Sequence, residues 1–165
     1  MNKQVWIEKA LGLGIQEFEI YQSTTVEKEM TWFQGQMDTL VSSKVTGTSI
    51  RGIVDGKMAN MALEEIDDSM CETVLKSLIE QAHIISNEET DSLRKPEPIE
   101  YVKKDVTWNM ASTEYVKNIL HSLEAKILAY DPRVIQVGYL GYSQGSGSRS
   151  IVNSLGMDVQ DADEM

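Results

Sequence analysis

Asp55-Gly56 sits between two apolar runs, Thr46 to Val54 and Lys57 to Ala62. An Asp-Gly pair in that setting is the sharpest short-range sign of a β-hairpin, because a two-residue turn matching the strand twist needs positive φ at both central positions. The chain must therefore fold back on itself there as antiparallel strands. Upstream, Glu17 to Met30 has period two, with Phe18, Ile20, Thr24, Val26 and Met30 on one face and Glu17, Glu19, Tyr21, Ser23, Thr25, Glu27 and Glu29 on the other. That pattern predicts a long half-buried strand. Gly35 in Phe33-Gln34-Gly35-Gln36 allows a turn, and Met37 to Lys44 reads as a returning strand, so four strands are expected in series.

Helical spacing appears in three places. Val5, Trp6, Lys9, Ala10 and Leu13 share one stripe, with Gly12 and Gly14 available to end the helix in the left-handed conformation. Ser69 and Glu72 have capping-box spacing ahead of the stripe Met70, Val74, Leu78, Ala82 and Ile85, which predicts a helix to about Ser86. The third helix is capped by Ser112 or Thr113, carries Val116, Ile119, Leu120, Leu123, Ile127 and Tyr130, and stops at Asp131-Pro132. Residues 87–107 are polar and contain Pro96 and Pro98, so they read as an exposed connection. Arg133 to Ser143 and Arg149 to Asn153 read as two more strands around a Gly145-Ser146-Gly147 loop, and 158–165 as a solvated acidic end. Hairpin-linked strands with helices set between them indicate an α+β fold: an antiparallel meander-type sheet packed with about three helices, in a single domain over 1–160.

The chemistry available to 165 residues with 15 basic and 26 acidic side chains is narrow. A formal charge of −11 opposes direct contact with the phosphate backbone of nucleic acid. The single cysteine, Cys71, forms no intramolecular disulfide and falls on the apolar side of a helix, where a buried structural thiol is the simpler reading. His83 and His121 stand in no metal-ligand spacing, so no zinc site and no catalytic set is expected in this chain. No apolar run approaches the roughly 20 residues of a membrane span, and no signal-peptide run opens the chain, which makes the cytoplasm the expected compartment. The glycines at 12–14 and 141–147 match no phosphate-binding motif and are expected to be caps and turns.

Three stretches together resemble a known family. The Glu19-Ile20-Tyr21 strand follows an Ala-Leu-x-x-Gly helix end, and Gly47 to Lys57 is similar to the G-x-x-x-R-x-x-x-x-G-(K/R) hairpin of the N-terminal domain of TldD/PmbA proteins. Asp131-Pro132-Arg133 through Asn153-Ser154-Leu155-Gly156 resembles the family's DPR-V-x-x-V … R-x-I-x-NS-x-G stretch. The resemblance covers about residues 3–160 and leans to the PmbA (TldE-like) branch. It implies a non-catalytic domain of a two-component cytoplasmic metallopeptidase, with zinc held in a C-terminal domain lying outside this chain or in the partner. It also implies a TldD-like or PmbA-like partner subunit and unfolded or extended peptides as substrates. The competing implication is a regulatory protein-binding module of the gyrase-modulator kind, with no proteolytic role.

Within this chain the residues expected to meet peptide or partner are Arg51 and Gly52, where backbone can approach closely, and Arg149, Ser150 and Asn153 on the late strand. A plain solvated arginine is the simpler account of each arginine alone. The physical motive is the sheet itself, since a meander leaves edge N–H and C=O groups that pair with an extended peptide.

Overall fold

The computed structural model describes residues 1–64, 66–86, 89–97 and 109–164. In chain order the elements are α1 (Lys3–Gly12), β1 (Glu17–Phe33), β2 (Gln36–Val54), β3 (Lys57–Leu63), α2 (Cys71–Ile84), α3 (Thr113–Tyr130), β4 (Leu140–Asn153) and β5 (Asp158–Glu164), with a short 3-10 turn at Asp68–Met70. The strands form one five-stranded antiparallel sheet in the order β3-β2-β1-β4-β5, open at both edges. This is the α+β fold expected, reached with fewer and longer strands.

The two tightest turns lie where the sequence marks them. Asp55 and Gly56 have φ of 48° and 74°, and Val54 pairs with Lys57 across them. Gln34 and Gly35 do the same between β1 and β2, at 48° and 78°. Between Lys44 and Gly47, however, nothing turns. Gly47 is not among the residues of positive φ, so the two strands expected there are the single 19-residue β2. The Gly145-Ser146-Gly147 loop is likewise absent, because both glycines stay extended inside β4. Residues 132–139 carry no strand: the Asp131 carboxylate accepts from the backbone N–H and the guanidinium of Arg133 and holds a turn instead.

Other ends differ in their chemistry. Ser69 and Glu72 do not form a capping box. Asp67 caps the 3-10 turn by accepting from the Ser69 N–H at 2.7 Å, and α2 begins at Cys71 without a side-chain cap. The Ser69 hydroxyl, which also donates to Asp67, and then the Ser69 N–H hold the Asp67 carboxyl below its ordinary range. Asp68 is held low in the same way, by the Asn2 N–H and the Trp6 indole N–H, which tie the turn to α1. Gly14, not Gly12, supplies the left-handed residue after α1. The acidic end expected to be a solvated tail is strand β5, which Gly156 (φ 94°) turns back onto β4.

The chain forms two compact units, and β1, β2, β4 and β5 contribute residues to both. One consists of Met1–Thr24, Thr46–Lys104 and Ser148–Asp161, the other of Thr25–Val45, Asp105–Gly147 and Ala162–Met165. In the first, α1 and α2 bury Trp6, Ala10, Leu75 and Leu78 against Phe18, Ile20, Ile50 and Ala59 of the sheet. Cys71 belongs to this core, where burial pushes its thiol pKa up, as suits a structural residue. In the second, Val116 and Leu120 of α3 pack on Met30 and Trp32. The α3 stripe is only partly covered: Ile119 and Leu123 are exposed, and Tyr130 is 88% exposed.

Replacing Gly56 by valine is expected to destabilise the protein by about 1–3 kcal/mol, because a β-branched residue is forced into positive φ while its Cβ meets Thr90 Cγ2 at 3.1 Å. A lowered urea midpoint checks this.

Candidate functional site

Side chains alternate across a strand, so one face of the first unit's sheet meets α1 and α2 and the other carries Glu19, Tyr21, Ser49, Arg51 and Ile151. Asn60 lies directly across from Arg51 in the β2–β3 register. Together these six residues line a cleft of about 280 Å³.

Its floor is an ion pair. Glu19 is 3% exposed, and its Oε1 accepts from Arg51 Nε at 2.7 Å and Nη2 at 2.6 Å. Its Oε2 accepts from Asn153 Nδ2 at 3.2 Å. A buried carboxylate is costly unless it is paired and hydrogen-bonded, and here both oxygens are served. The Arg51 side chain remains 43% exposed, and with two N–H groups on Glu19 the rest of its planar fork is left for a ligand in the cleft.

Asn153 does more than hold Glu19. Nδ2 also donates to the Arg94 carbonyl at 3.0 Å, and Oδ1 accepts from the N–H groups of Leu155 and Met157. The next residue clamps β4 to β1: Ser154 N–H donates to the Phe18 carbonyl and Ser154 Oγ accepts from the Phe18 N–H. The Asn-Ser-x-Gly turn is thus a set of caps whose asparagine reaches into the cleft floor. Residues 89–97, the described part of the connection expected over 87–107, lie along the same face. Leu93 is buried there and its N–H donates to Glu17 at 2.6 Å. Asn87, Glu88 and 98–107 lie outside the described residues.

Of the five residues singled out in sequence, Arg51 and Asn153 are brought together, through Glu19. Gly52 and Ser150 lie on the opposite face. Gly52 is a packing residue, since a Cβ there would meet Ile15 Cγ2 at 2.9 Å and Leu78 Cδ2 at 3.0 Å. Ser150 Oγ accepts from Lys3 Nζ of α1. Arg149 is exposed, outside the cleft lining, and makes no ion pair among the described residues. Glu19, Tyr21, Ser49, Asn60 and Ile151 line the cleft beside Arg51 without standing out in the sequence as site residues. Alternation in the sequence places Glu19 and Tyr21 on the polar face correctly, but period two says nothing about which residue lies across the strand.

The histidines stay apart from this site. His83 faces Asp55 at 3.7 Å on the surface, and His121 packs edge-on to Trp32 at 6.1 Å. Among the described residues no group of three or more His, Cys, Asp or Glu is placed to hold a metal ion, and no helix is long and apolar enough to cross a membrane.

Comparison with protein families decides the relationship. Residues 18–86 match the family model described as PmbA/TldA metallopeptidase domain 1, and 107–164 match that of the PmbA/TldA metallopeptidase central domain. The chain belongs to the PmbA/TldD family. Comparison with curated protein sequences gives no match. Among solved structures, TldE from Thermococcus kodakarensis is similar over 98% of this chain and 37% of its own, at 18% identity and a TM-score of 0.82. Candidate DNA gyrase modulators from Thermotoga maritima and Bacteroides thetaiotaomicron are similar over 98% of this chain, also at 18% identity, with TM-scores of 0.76 and 0.71. This PmbA/TldD chain spans 36% and 38% of those two structures, so the likeness is one of fold across roughly a third of each.

Replacing Asn153 by alanine is expected to cost on the order of 2 kcal/mol, because the Arg94 carbonyl, two turn N–H groups and Glu19 Oε2 lose a partner together. Urea unfolding of the variant measures this.

Proposed function

We propose that this chain supplies peptide-substrate and partner-subunit contacts to a two-component cytoplasmic metallopeptidase and performs no bond cleavage itself. The observation that carries this reading is the half-exposed Arg51 guanidinium, fixed by buried Glu19 at the floor of an open cleft on a sheet face. A fixed fork of N–H donors suits carbonyl oxygens and carboxylates, the groups that every peptide presents whatever its sequence. An open sheet adds backbone pairing that is equally blind to sequence. Hydrolytic chemistry, and the zinc that would serve it, belong in this reading to the family's C-terminal domain or to a TldD-like or PmbA-like partner. The partner contact is not assigned to particular residues, and Arg149 is a candidate for it on exposure alone.

A second reading has an observation of its own. The names of the Thermotoga and Bacteroides structures suggest a regulatory module that engages a protein and cleaves nothing. Tyr115, Ile119 and Leu123 repeat every four residues along α3 and are all exposed, an apolar stripe of the kind that meets a protein surface. Peptide affinity separates the readings.

Arg51→Glu is expected to weaken binding of a fluorescent unfolded peptide about tenfold, or about 1.4 kcal/mol, because a second carboxylate beside Glu19 repels peptide carbonyls. Fluorescence anisotropy checks this, with urea unfolding to confirm that the variant is folded. Wild-type affinity in a folded Arg51→Glu protein would remove the cleft from peptide binding.

A further inference from the structure

Glu124 of α3 is a buried carboxylate, as Glu19 is, but its partners are of another kind. It is 7% exposed. Its Oε2 accepts from the Trp32 indole N–H at 2.7 Å and from the Gly35 N–H at 3.0 Å. Its Oε1 receives only the long branch, 3.3 Å, of that same Gly35 N–H. Both donors are neutral, and no lysine, arginine or histidine pairs with Glu124 among the described residues. A buried charge is unfavourable unless a counter-charge and a full set of hydrogen bonds offset it. Glu19 has its guanidinium, whereas Glu124 has none and keeps an oxygen with room for further donors.

The carboxylate borders a cleft of about 350 Å³ that lies wholly within the second unit. Leu128, one turn further along α3, forms its apolar wall together with Ile135 and Val137 of the segment that follows the helix. Ile135 is 90% exposed, so this wall faces solvent with nothing over it among the described residues. Gln34 at the tip of the β1–β2 hairpin and Gln136 add two amides, and neither makes a side-chain hydrogen bond among the described residues. A cleft with one negative charge and apolar walls concentrates cations, the more so in a chain of formal charge −11.

We infer that this cleft binds a primary ammonium carried on an unbranched apolar stem, the aminoalkyl end of a lysine side chain or of a free diamine. An ammonium has three N–H donors, and the cleft offers Glu124 Oε1 and the amide oxygens of Gln34 and Gln136 to take them. The bond to the carboxylate is charge-assisted and supplies the counter-charge that Glu124 lacks. The stem lies on Leu128, Ile135 and Val137, as lysine methylenes lie along apolar surface while the head stays with its partners. A quaternary ammonium brings the charge without donors, and an alcohol brings the stem without the charge, so neither satisfies the site. The inference concerns the second unit alone and stands independently of the Arg51 cleft.

The Trp32 indole N–H is a local probe, because it donates to the same carboxylate. In proton–nitrogen correlation spectra of the 165-residue chain at constant ionic strength, pentylammonium is expected to shift the Trp32 indole resonance and to saturate. Tetramethylammonium and pentanol are expected to leave it in place. Glu124→Gln keeps an acceptor for Trp32 and Gly35 but removes the charge, and is expected to weaken binding about tenfold or more. Gln136 is exposed, so Gln136→Lys alters no core and brings an ammonium of the chain's own to the cleft; about the same loss is expected. Two further ligands separate the sources. Tighter binding of Nα-acetyl-lysine N-methylamide than of diaminopentane supports the inference with a protein's lysine as the occupant, and the reverse order supports it with a free diamine. Absence of a saturable shift with pentylammonium overturns the inference. So does an equal shift with tetramethylammonium or with pentanol, which reduces the site to general screening or to apolar contact. Undiminished binding by folded Glu124→Gln overturns it as well, and if that variant does not fold, undiminished binding by Gln136→Lys does so in its place.

Discussion

The Glu19 carboxylate is the joint on which the first unit depends. Glu19 belongs to β1, and its two oxygens take Arg51 of β2 and Asn153 of β4, so a single buried group spans three neighbouring strands. Desolvating a carboxylate is unfavourable by several kcal/mol, and only this full set of partners offsets it. Arrangements that separate any one strand leave a buried charge or a buried amide unpaired. Asn153 carries the constraint further, to the Arg94 carbonyl and to the turn that starts β5. Arg51 is held from beneath rather than from solvent, which is what lets an exposed arginine keep one geometry.

Position in the sheet then separates structural from surface roles. On the helix side Gly52 has no room for a side chain, and Ile15 and Leu78 fill its place. One residue earlier, Arg51 opens to the cleft. Adjacent residues of one strand thus serve the core and the surface, and a substitution at one should not be read as a test of the other. In the second unit Glu124 of α3 plays a comparable part: its carboxylate accepts from the Trp32 indole and from the Gly35 N–H, fixing the tip of the β1–β2 hairpin.

Much of the fold was legible because it is written in local chemistry. Asp55-Gly56 and Gln34-Gly35 state their turns through backbone conformation, and Ser112 caps α3 as its position suggests. Strand continuity was not legible. Gly145 and Gly147 look like a break, yet a glycine in an extended conformation interrupts nothing when both neighbouring strands supply hydrogen bonds, and the weak alternation after Met37 hid that the chain runs on through Lys44 to Val54 as one strand. β5 was hidden for the opposite reason: its acids resemble a solvated tail, and only pairing with β4 makes it a strand. The division into two compact units carries no sequence mark, because it falls inside β1, β2, β4 and β5. The site was half legible. Arg51 stands out as an arginine beside Gly52 and Asn153 as an asparagine at the end of the late strand, but Glu19 is one of seven polar-face residues in β1, and its importance comes from register alone.

A double-mutant cycle between Glu19 and Arg51 tests that importance most directly. Urea unfolding of wild type, Glu19→Ala, Arg51→Ala and the double variant gives the coupling between the two side chains free of their separate effects. The account predicts a favourable coupling above about 1 kcal/mol, larger than the roughly 0.2–1 kcal/mol of exposed pairs, because the carboxylate side is buried. A coupling near zero, with the two single losses simply adding, would contradict the claim that this ion pair is the joint of the sheet.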